Sequence, residues 1–192
     1  LIGLVGSEMC IRDSNEKNAF KETAGGYGSG YCYIDGLAFD KNGNLWMTSS
    51  EVNHAVLVLD KAGAWHRLDI EQLRGVYTIN DILITSTNDK WIYVPRNTPK
   101  LVMIPNSESL DEVSSYEFTT LIDTDGKELT PSNYTCVAED KDGYIWVGTN
   151  RGAVYFTKPR ISSAEDKAAT RCTRVKSVSY THLRAHETDQ YL

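Results

Sequence analysis

No stretch of this chain longer than ten residues repeats its apolar residues every three or four positions, so a helical bundle is excluded from the start. Long apolar runs are missing too: none approaches the roughly 18–20 residues of a membrane span. Histidine is scarce at four residues, and the four cysteines contain no C-x-x-C pair. A zinc site and a disulfide framework both need more than this. Basic charge is also short, with 20 Lys and Arg against 26 Asp and Glu. An acidic chain lacks the electrostatic footprint that nucleic-acid binding requires.

Two of the four histidines lie in the tail "SYTHLRAHETDQYL" as His182 and His186, spaced like half of a zinc helix. The glutamate that should follow the first histidine is replaced by Leu183, and no third ligand stands nearby. A different relation accounts for the tail. Written as CTC GTG GGC TCG GAG ATG TGT ATA AGA GAC, the codons for Leu4 to Asp13 have a reverse complement that translates as V-S-Y-T-H-L-R-A-H-E, which is Val178 to Glu187. Protein folding supplies no reason for such a relation, whereas one DNA adapter ligated in inverted orientation at both ends must produce it. We therefore read residues 1–14 and 177–192 as translated adapter and set them aside, with His182, His186 and Cys10 among them. The ends hold two of the basic and four of the acidic residues, so the segment from about Asn15 to Lys176 keeps 18 and 22. Its three cysteines are Cys32, Cys136 and Cys172; two fall on expected strands, where a buried thiol is the default.

What remains is rich in Val, Ile, Thr, Tyr and Trp, with Gly, Asn and Asp at intervals, a composition for strands and turns. "ISSAEDKAATR" is the best helical candidate, and it is short and mostly polar. The strands belong to a repeat. "GLAFDKNGNLWMTSS" (Gly36–Ser50) aligns with "CVAEDKDGYIWVGTN" (Cys136–Asn150), so that Asp40 matches Asp140, Gly43 matches Gly143 and Trp46 matches Trp146. A degenerate copy, "DILITSTNDKWIYVPR", places Trp91 in the tryptophan slot; it lacks the glycine, and Asn88-Asp89 is expected to make a shorter turn there. Spacings of 45 and 55 residues between the tryptophans are those of a four-stranded propeller blade.

The unit is a hairpin. An apolar strand enters Asp-Lys-Asn-Gly or Asp-Lys-Asp-Gly, the glycine supplies the positive φ of a tight turn, and the Asp side chain caps the turn. The tryptophan then sits on the half-buried face of the next strand and is expected to pack between blades. The expected fold is all-β, a partial β-propeller of about three four-stranded antiparallel blades: blade 1 over 33–70, blade 2 over 71–122 and an incomplete blade 3 over 123–176, with 15–32 a loop or the end of a preceding blade. In the first blade the strands are predicted at Ile34–Phe39, Leu45–Ser49, Ala55–Leu59 and Trp65–Ile70.

Few residues carry chemistry. Asp40-x-Asn42 and Asp140-x-Asp142 resemble the start of a calcium loop, but glycine is fourth instead of sixth and no twelfth-position glutamate follows, so they read as turns. "GGYGSG" (Gly25–Gly30) is followed by no helix that would hold a phosphate, so it reads as a connection. His66 stands beside Trp65 with no serine or cysteine motif to partner it. The chain is therefore expected to be no enzyme and to use no cofactor or metal. A propeller lyase would need Tyr, His, Arg or metal ligands clustered at equivalent positions of all three blades, and none is present.

"AEDKDGYIWVGTNRGAVYF" (Ala138–Phe156) resembles the signature of the two-component regulator propeller family. The order "GLAFDKNGNLWMTSS", "GAWHRLDI", "DILITSTNDKWIYVPR", "GAVYFTKP" is similar to the PorZ-like propellers of the type IX secretion system, over nearly all of Tyr33–Lys176. That resemblance implies a protein of two propellers and a sorting domain on the outer face of a Bacteroidetes outer membrane. Its partners would be secretion-machinery proteins and lipopolysaccharide or another glycan, and its role would be to deliver anionic lipopolysaccharide to secreted cargo. The alternative resemblance implies a periplasmic sensor of a hybrid two-component regulator that binds glycan fragments.

Overall fold

A computed structural model describes residues 33–110 and 113–175. The adapter-like ends, the 15–32 segment, the Gly25–Gly30 connection and Cys32 lie outside the described residues. Three four-stranded antiparallel sheets follow one another along the chain, each a plain meander. Blade 1 is β1 (Gly36–Phe39), β2 (Leu45–Thr48), β3 (Val56–Leu59) and β4 (Trp65–Leu68). Blade 2 is β5 (Ile82–Ile84), β6 (Lys90–Val94), β7 (Lys100–Ile104) and β8 (Tyr116–Phe118). A small hairpin of β9 (Leu121–Ile122) and β10 (Glu128–Leu129) precedes blade 3, which is β11 (Tyr134–Glu139), β12 (Ile145–Thr149), β13 (Gly152–Phe156) and β14 (Cys172–Arg174). The chain is an all-β propeller arc, as its sequence predicts. No helix among the described residues is long and apolar enough to cross a membrane.

The polar segment predicted as helical holds α1 (Ala164–Ala169) between β13 and β14. Ser163 caps it by accepting from the Asp166 N–H at 3.1 Å, while Asp166 accepts in return from the Ser162 N–H and hydroxyl. The sequence reads "YEFTTLI" as one strand. The structure divides it at Thr119–Thr120, because Leu121 leaves the blade to pair with Leu129.

Strand alternation feeds two cores from one sheet. In β6, Ile92 and Val94 face blade 1 and join Trp46, Val58, Leu68, Ile82, Val102 and Ile104 in one apolar cluster. Trp91 and Tyr93 point the other way, into a second cluster with Met103, Phe118, Ile145, Val147, Val154 and Phe156 of blades 2 and 3. The period-2 pattern therefore leaves no residue of β6 exposed. Trp91 stacks on Phe118 with centroids 5.9 Å apart and meets Phe156 at 5.6 Å. Burying such rings contributes several kcal/mol each, on the order of 3–5 by truncation.

The pairing register repeats between blades. Leu45 opposite Leu59 and Met47 opposite Leu57 in blade 1 correspond to Lys90–Ile104 and Ile92–Val102 in blade 2, and to Ile145–Phe156 and Val147–Val154 in blade 3. The pairs Trp46–Val58, Trp91–Met103 and Trp146–Tyr155 correspond on the opposite face. Each blade thus offers a tryptophan face to the next blade and receives the previous tryptophan on the other. Lys90 does this for Trp46: it is 2% exposed, and its ammonium lies 4.5 Å from the indole centroid.

First strands of neighbouring blades lie against each other, so they are the inner strands of the arc. Gly36 marks the tightest point, since a Cβ there would stand 2.8 Å from the Ile82 nitrogen and 2.9 Å from the Asp81 Cα. Both neighbours are backbone and cannot swing aside. Gly36→Val is expected to cost about 1–3 kcal/mol of stability by overpacking the inner joint, read as a lowered urea midpoint at unchanged slope.

Candidate functional site

Five turns carry the polar chemistry of the described residues, and they are built alike. Asp40 Oδ1 accepts from the Asn42 and Asn44 N–H groups at 2.8 and 2.9 Å. Its Oδ2 accepts from Asn44 Nδ2 and Trp46 Nε1, both at 2.9 Å. Asp140 repeats the arrangement with the N–H groups of Asp142 and Tyr144 and with Trp146 Nε1 at 2.7 Å. Gly43 and Gly143 hold φ of 85° and 81°, as the turn demands. The carboxylates spend their oxygens on turn N–H groups and an indole, which is turn chemistry and not calcium ligation. Among the described residues no three His, Cys, Asp or Glu side chains are grouped to hold a metal ion.

Two further turns follow the same spacing. In the β3–β4 turn Asp60 caps the Ala62 and Ala64 N–H groups, and its other oxygen lies 3.0 Å from His66 Nε2, six residues on, where Trp46 stands relative to Asp40. His66 therefore has a partner that its sequence neighbours did not reveal. Asp123 caps Asp125 and Lys127 in the β9–β10 turn, and Arg174 Nε approaches its Oδ2 at 3.0 Å.

The turn of blade 2 corrects an expectation. It is not shorter. Thr85 takes the aspartate position, with the Thr85 N–H donating to the Asp89 carbonyl and Asn88 N–H to the Thr85 carbonyl, as Asp40, Gly43 and Asn44 do in blade 1. Asn88 adopts φ of 69° in place of the glycine, which its short polar side chain tolerates. That side chain also joins blades: Asn88 Oδ1 accepts from the Lys41 N–H at 2.9 Å, and its Nδ2 donates to Asn106.

The tryptophans differ in burial. Trp46 and Trp91 are each 1% exposed, whereas Trp146 is 37% exposed and tilts against Tyr155 at 4.9 Å, with Tyr144 stacked on the same tyrosine. Trp146 thus does not pack between two blades of the arc, because it points away from blade 2. The thiols differ likewise. Cys172 is buried beside the second core, but Cys136 is exposed, lying on the outward face of blade 3 with Trp146. Alternation places every second residue of β11 on that face.

Hydrogen bonding sets the acidity of the turns. Burial alone would raise the Asp40 carboxyl, yet the donors from Trp46, Asn44 and Asn42 outweigh it and hold it below the ordinary range. The Trp146 indole and the turn N–H groups hold Asp140 low, and His66 with the Ala64 N–H does so for Asp60. Lys90 is pushed below the ordinary lysine range by burial, with Asp40 and Asp89 opposing the change.

Between the first turns of blades 2 and 3 lies a cleft of about 260 Å³. Thr85–Thr87 and Asp89 form one wall and Glu139 with Lys141–Gly143 the other; Lys158, Pro159 and Arg160, just past β13, close the third side over Ile145 and Trp91. Ser86 is clamped from both neighbours: Glu139 accepts from its N–H and hydroxyl, and Lys41 of blade 1 donates to its carbonyl. Sequence spacing showed none of these cleft residues as a group. They come from two turns and a strand exit, and Lys158, Pro159 and Arg160 lie outside the repeat. The D-x-x-G spacing with a ring at the seventh position was the signal that would have found Asp60 and His66.

Fold and site define a β-propeller built on Asp–Trp turns. Residues 128–151 match the family model of the two-component regulator propeller repeat. Among solved structures, the chain is similar to PorZ, a surface component of the type IX secretion system of Porphyromonas gingivalis, at TM-score 0.65 and 18% identity over 80% of this chain. It spans 22% of that protein's length. It is also similar to virginiamycin B lyase of Staphylococcus aureus at TM-score 0.51 and 15% identity, over 75% of this chain and 42% of the lyase. The extracellular domain of a hybrid two-component system of B. thetaiotaomicron matches at 20% identity, covering 64% of this chain and 15% of that one, with a TM-score of 0.44. No curated protein matches in sequence. In fold the chain is a PorZ-like propeller that carries a two-component regulator repeat.

Three expected outcomes rest on the turns. Asp40→Asn puts an amide NH2, which cannot accept, against either the turn N–H groups or the Trp46 and Asn44 side-chain donors, and is expected to cost about 2–3 kcal/mol in urea denaturation. The carboxyls of Asp40, Asp60 and Asp140 lie lower folded than unfolded, so their stabilisation is complete above the unfolded value and lost as pH falls through the folded one. Stability should decline below about pH 4, and less steeply in Asp40→Asn. Asn88→Gly removes the strain of a positive φ but also two side-chain bonds, one to Lys41 of blade 1 and one to Asn106 of its own blade. It is expected to lose about 1–2 kcal/mol instead of gaining any.

Proposed function

We propose that this chain is part of a non-enzymatic propeller on the surface of a Gram-negative bacterium, within the type IX secretion machinery, where it helps deliver anionic lipopolysaccharide to secreted cargo by binding polysaccharide or partner proteins. The observation that carries the reading is the likeness to PorZ, at a TM-score of 0.65 over 80% of the chain. The repeat order, with its degenerate middle turn, supports it. The absence of catalysis in this reading rests on where the candidate groups are: His54 and His66 both belong to blade 1, and His66 is paired with Asp60.

The second reading is a periplasmic ligand-sensing propeller of a hybrid two-component regulator that binds glycan fragments. The match of residues 128–151 to that family's repeat favours it. Deleting the gene in its own bacterium separates the two. The secretion role predicts cargo that is made but lacks its anionic lipopolysaccharide, seen as loss of the high-mass smear on gels. Cargo with its lipopolysaccharide intact, together with altered transcription of glycan-utilisation genes, would replace the first reading by the second.

A further inference from the structure

We propose that Asn42 is a site of covalent self-modification, where attack by the Gly43 nitrogen converts the side-chain amide to a carboxylate at a rate governed by the Asp40 turn. The inference stands apart from the function proposed above. Asn42-Gly43 is the one Asn-Gly pair in the chain. Asn42 is exposed; its N–H donates to Asp40 Oδ1 at 2.8 Å, while its side chain forms no hydrogen bond among the described residues. The side-chain amides of Asn44, Asn80, Asn88 and Asn150 each donate to a neighbour instead, and a residue with a Cβ follows each of them. Glycine leaves its nitrogen unshielded, and a Cβ at 43 would meet nothing nearer than the Lys61 Cβ at 3.9 Å.

Water is the only co-reactant. A solvent base takes the Gly43 N–H proton, and the nitrogen bonds to the Asn42 side-chain carbon. The bond from that carbon to Nδ2 breaks, which releases ammonia and closes a cyclic imide. Water then opens the ring. Attack at the side-chain carbon restores the ordinary peptide with a carboxylate at 42. Attack at the main-chain carbonyl carbon leaves an isoaspartate, which runs the chain through the side chain and adds a methylene to the backbone.

The turn opposes the first step. Gly43 N–H donates to the Asp40 carbonyl at 3.1 Å, and the attack needs that proton removed and the nitrogen turned towards the side chain. Lys41 ties the same turn to blade 2 through Asn88 and Ser86. Deamidation therefore proceeds from a locally opened turn, whose population these bonds set. Blade 3 shows the fate of the aspartate product, because Asp142 occupies the position of Asn42. Its N–H donates to Asp140 Oδ1 at 2.9 Å, and Gly143 N–H donates to the Asp140 carbonyl at 3.0 Å. The φ of Gly143 is 81° against 85° at Gly43, so the aspartate product keeps the turn. The isoaspartate product shifts Asn44 and Trp46 away from Asp40 by a backbone carbon and releases the Trp46 anchor.

The test ages the full chain at mildly alkaline pH in heavy-oxygen water, folded and in urea, and follows each asparagine by peptide mass spectrometry. Asn42 is expected to take up heavy oxygen before any other asparagine, and roughly tenfold faster in urea than folded. Asp40→Ala should raise the folded rate by roughly threefold or more, through loss of the bonds that close the turn. Lys41→Ala removes only the Nζ bond to Ser86, keeps the blade intact and should also raise the rate. Asn42→Asp should unfold at the urea midpoint of the unmodified chain, and the isolated isoaspartate form at a lower one. Uptake at other asparagines with none at Asn42 would overturn the site. Equal rates folded and in urea, or no acceleration in Lys41→Ala and Asp40→Ala, would overturn the control by the turn. A lowered midpoint in Asn42→Asp, or an unchanged one in the isoaspartate form, would overturn the fates read from blade 3.

Discussion

A carboxylate that accepts from its own turn and from an indole six residues on is the interaction on which the rest of this arc depends. By closing the turn with one oxygen and gripping the tryptophan with the other, Asp40 fixes both the length of the turn and the face on which Trp46 enters β2. A slip of one residue would send every side chain of the strand to the opposite face. With the register set, the tryptophan lies on the face offered to the next blade, and the residues before and after it lie on the face that receives the previous one. The same spacing at Asp140 and Trp146 gives blade 3 the same two faces.

Those faces explain how short strands make a stable core. A four-stranded sheet alone buries too little, but the middle blade is covered on both sides and contributes to two apolar clusters at once. The middle blade is also where the repeat is least regular. Threonine replaces the aspartate, asparagine replaces the glycine, and Lys90 replaces the apolar residue before the tryptophan. The last two changes are compensated across the joint to blade 1. Asn88 bonds Lys41, and Lys90 lies over Trp46 with Asp40 near enough to favour its charge. The irregular turn is therefore fixed by its neighbours, and the cleft forms where it meets the more regular turn of blade 3.

Much of the fold was legible because strand, turn and tryptophan recur at fixed spacing. Predicted strands in blade 1 lie within two residues of those observed, and the polar segment near the end of blade 3 holds the one short α-helix described. The misses have physical causes. Asn88-Asp89 read as a shortened turn because the glycine was missing, and sequence alone does not show that asparagine takes the positive φ. Cys136 read as buried because it lies on a strand, but which of a strand's two faces is covered depends on what packs there. His66 read as unpartnered because the carboxylate that pairs with it stands across a turn. The cleft was not legible at all, since its cations come from a turn and a strand exit that are unremarkable separately.

By itself the sequence determined the unit: an Asp-x-x-Gly turn followed by a tryptophan strand, repeated at the spacing of propeller blades. It could do so because turn chemistry and strand alternation are local, acting over six or seven residues. Only the tertiary structure decided which tryptophans are buried, which thiol is exposed and which turns meet at the cleft. Those properties depend on the face that the neighbouring blade covers and on how turns distant in sequence meet at a joint, and no local spacing encodes either.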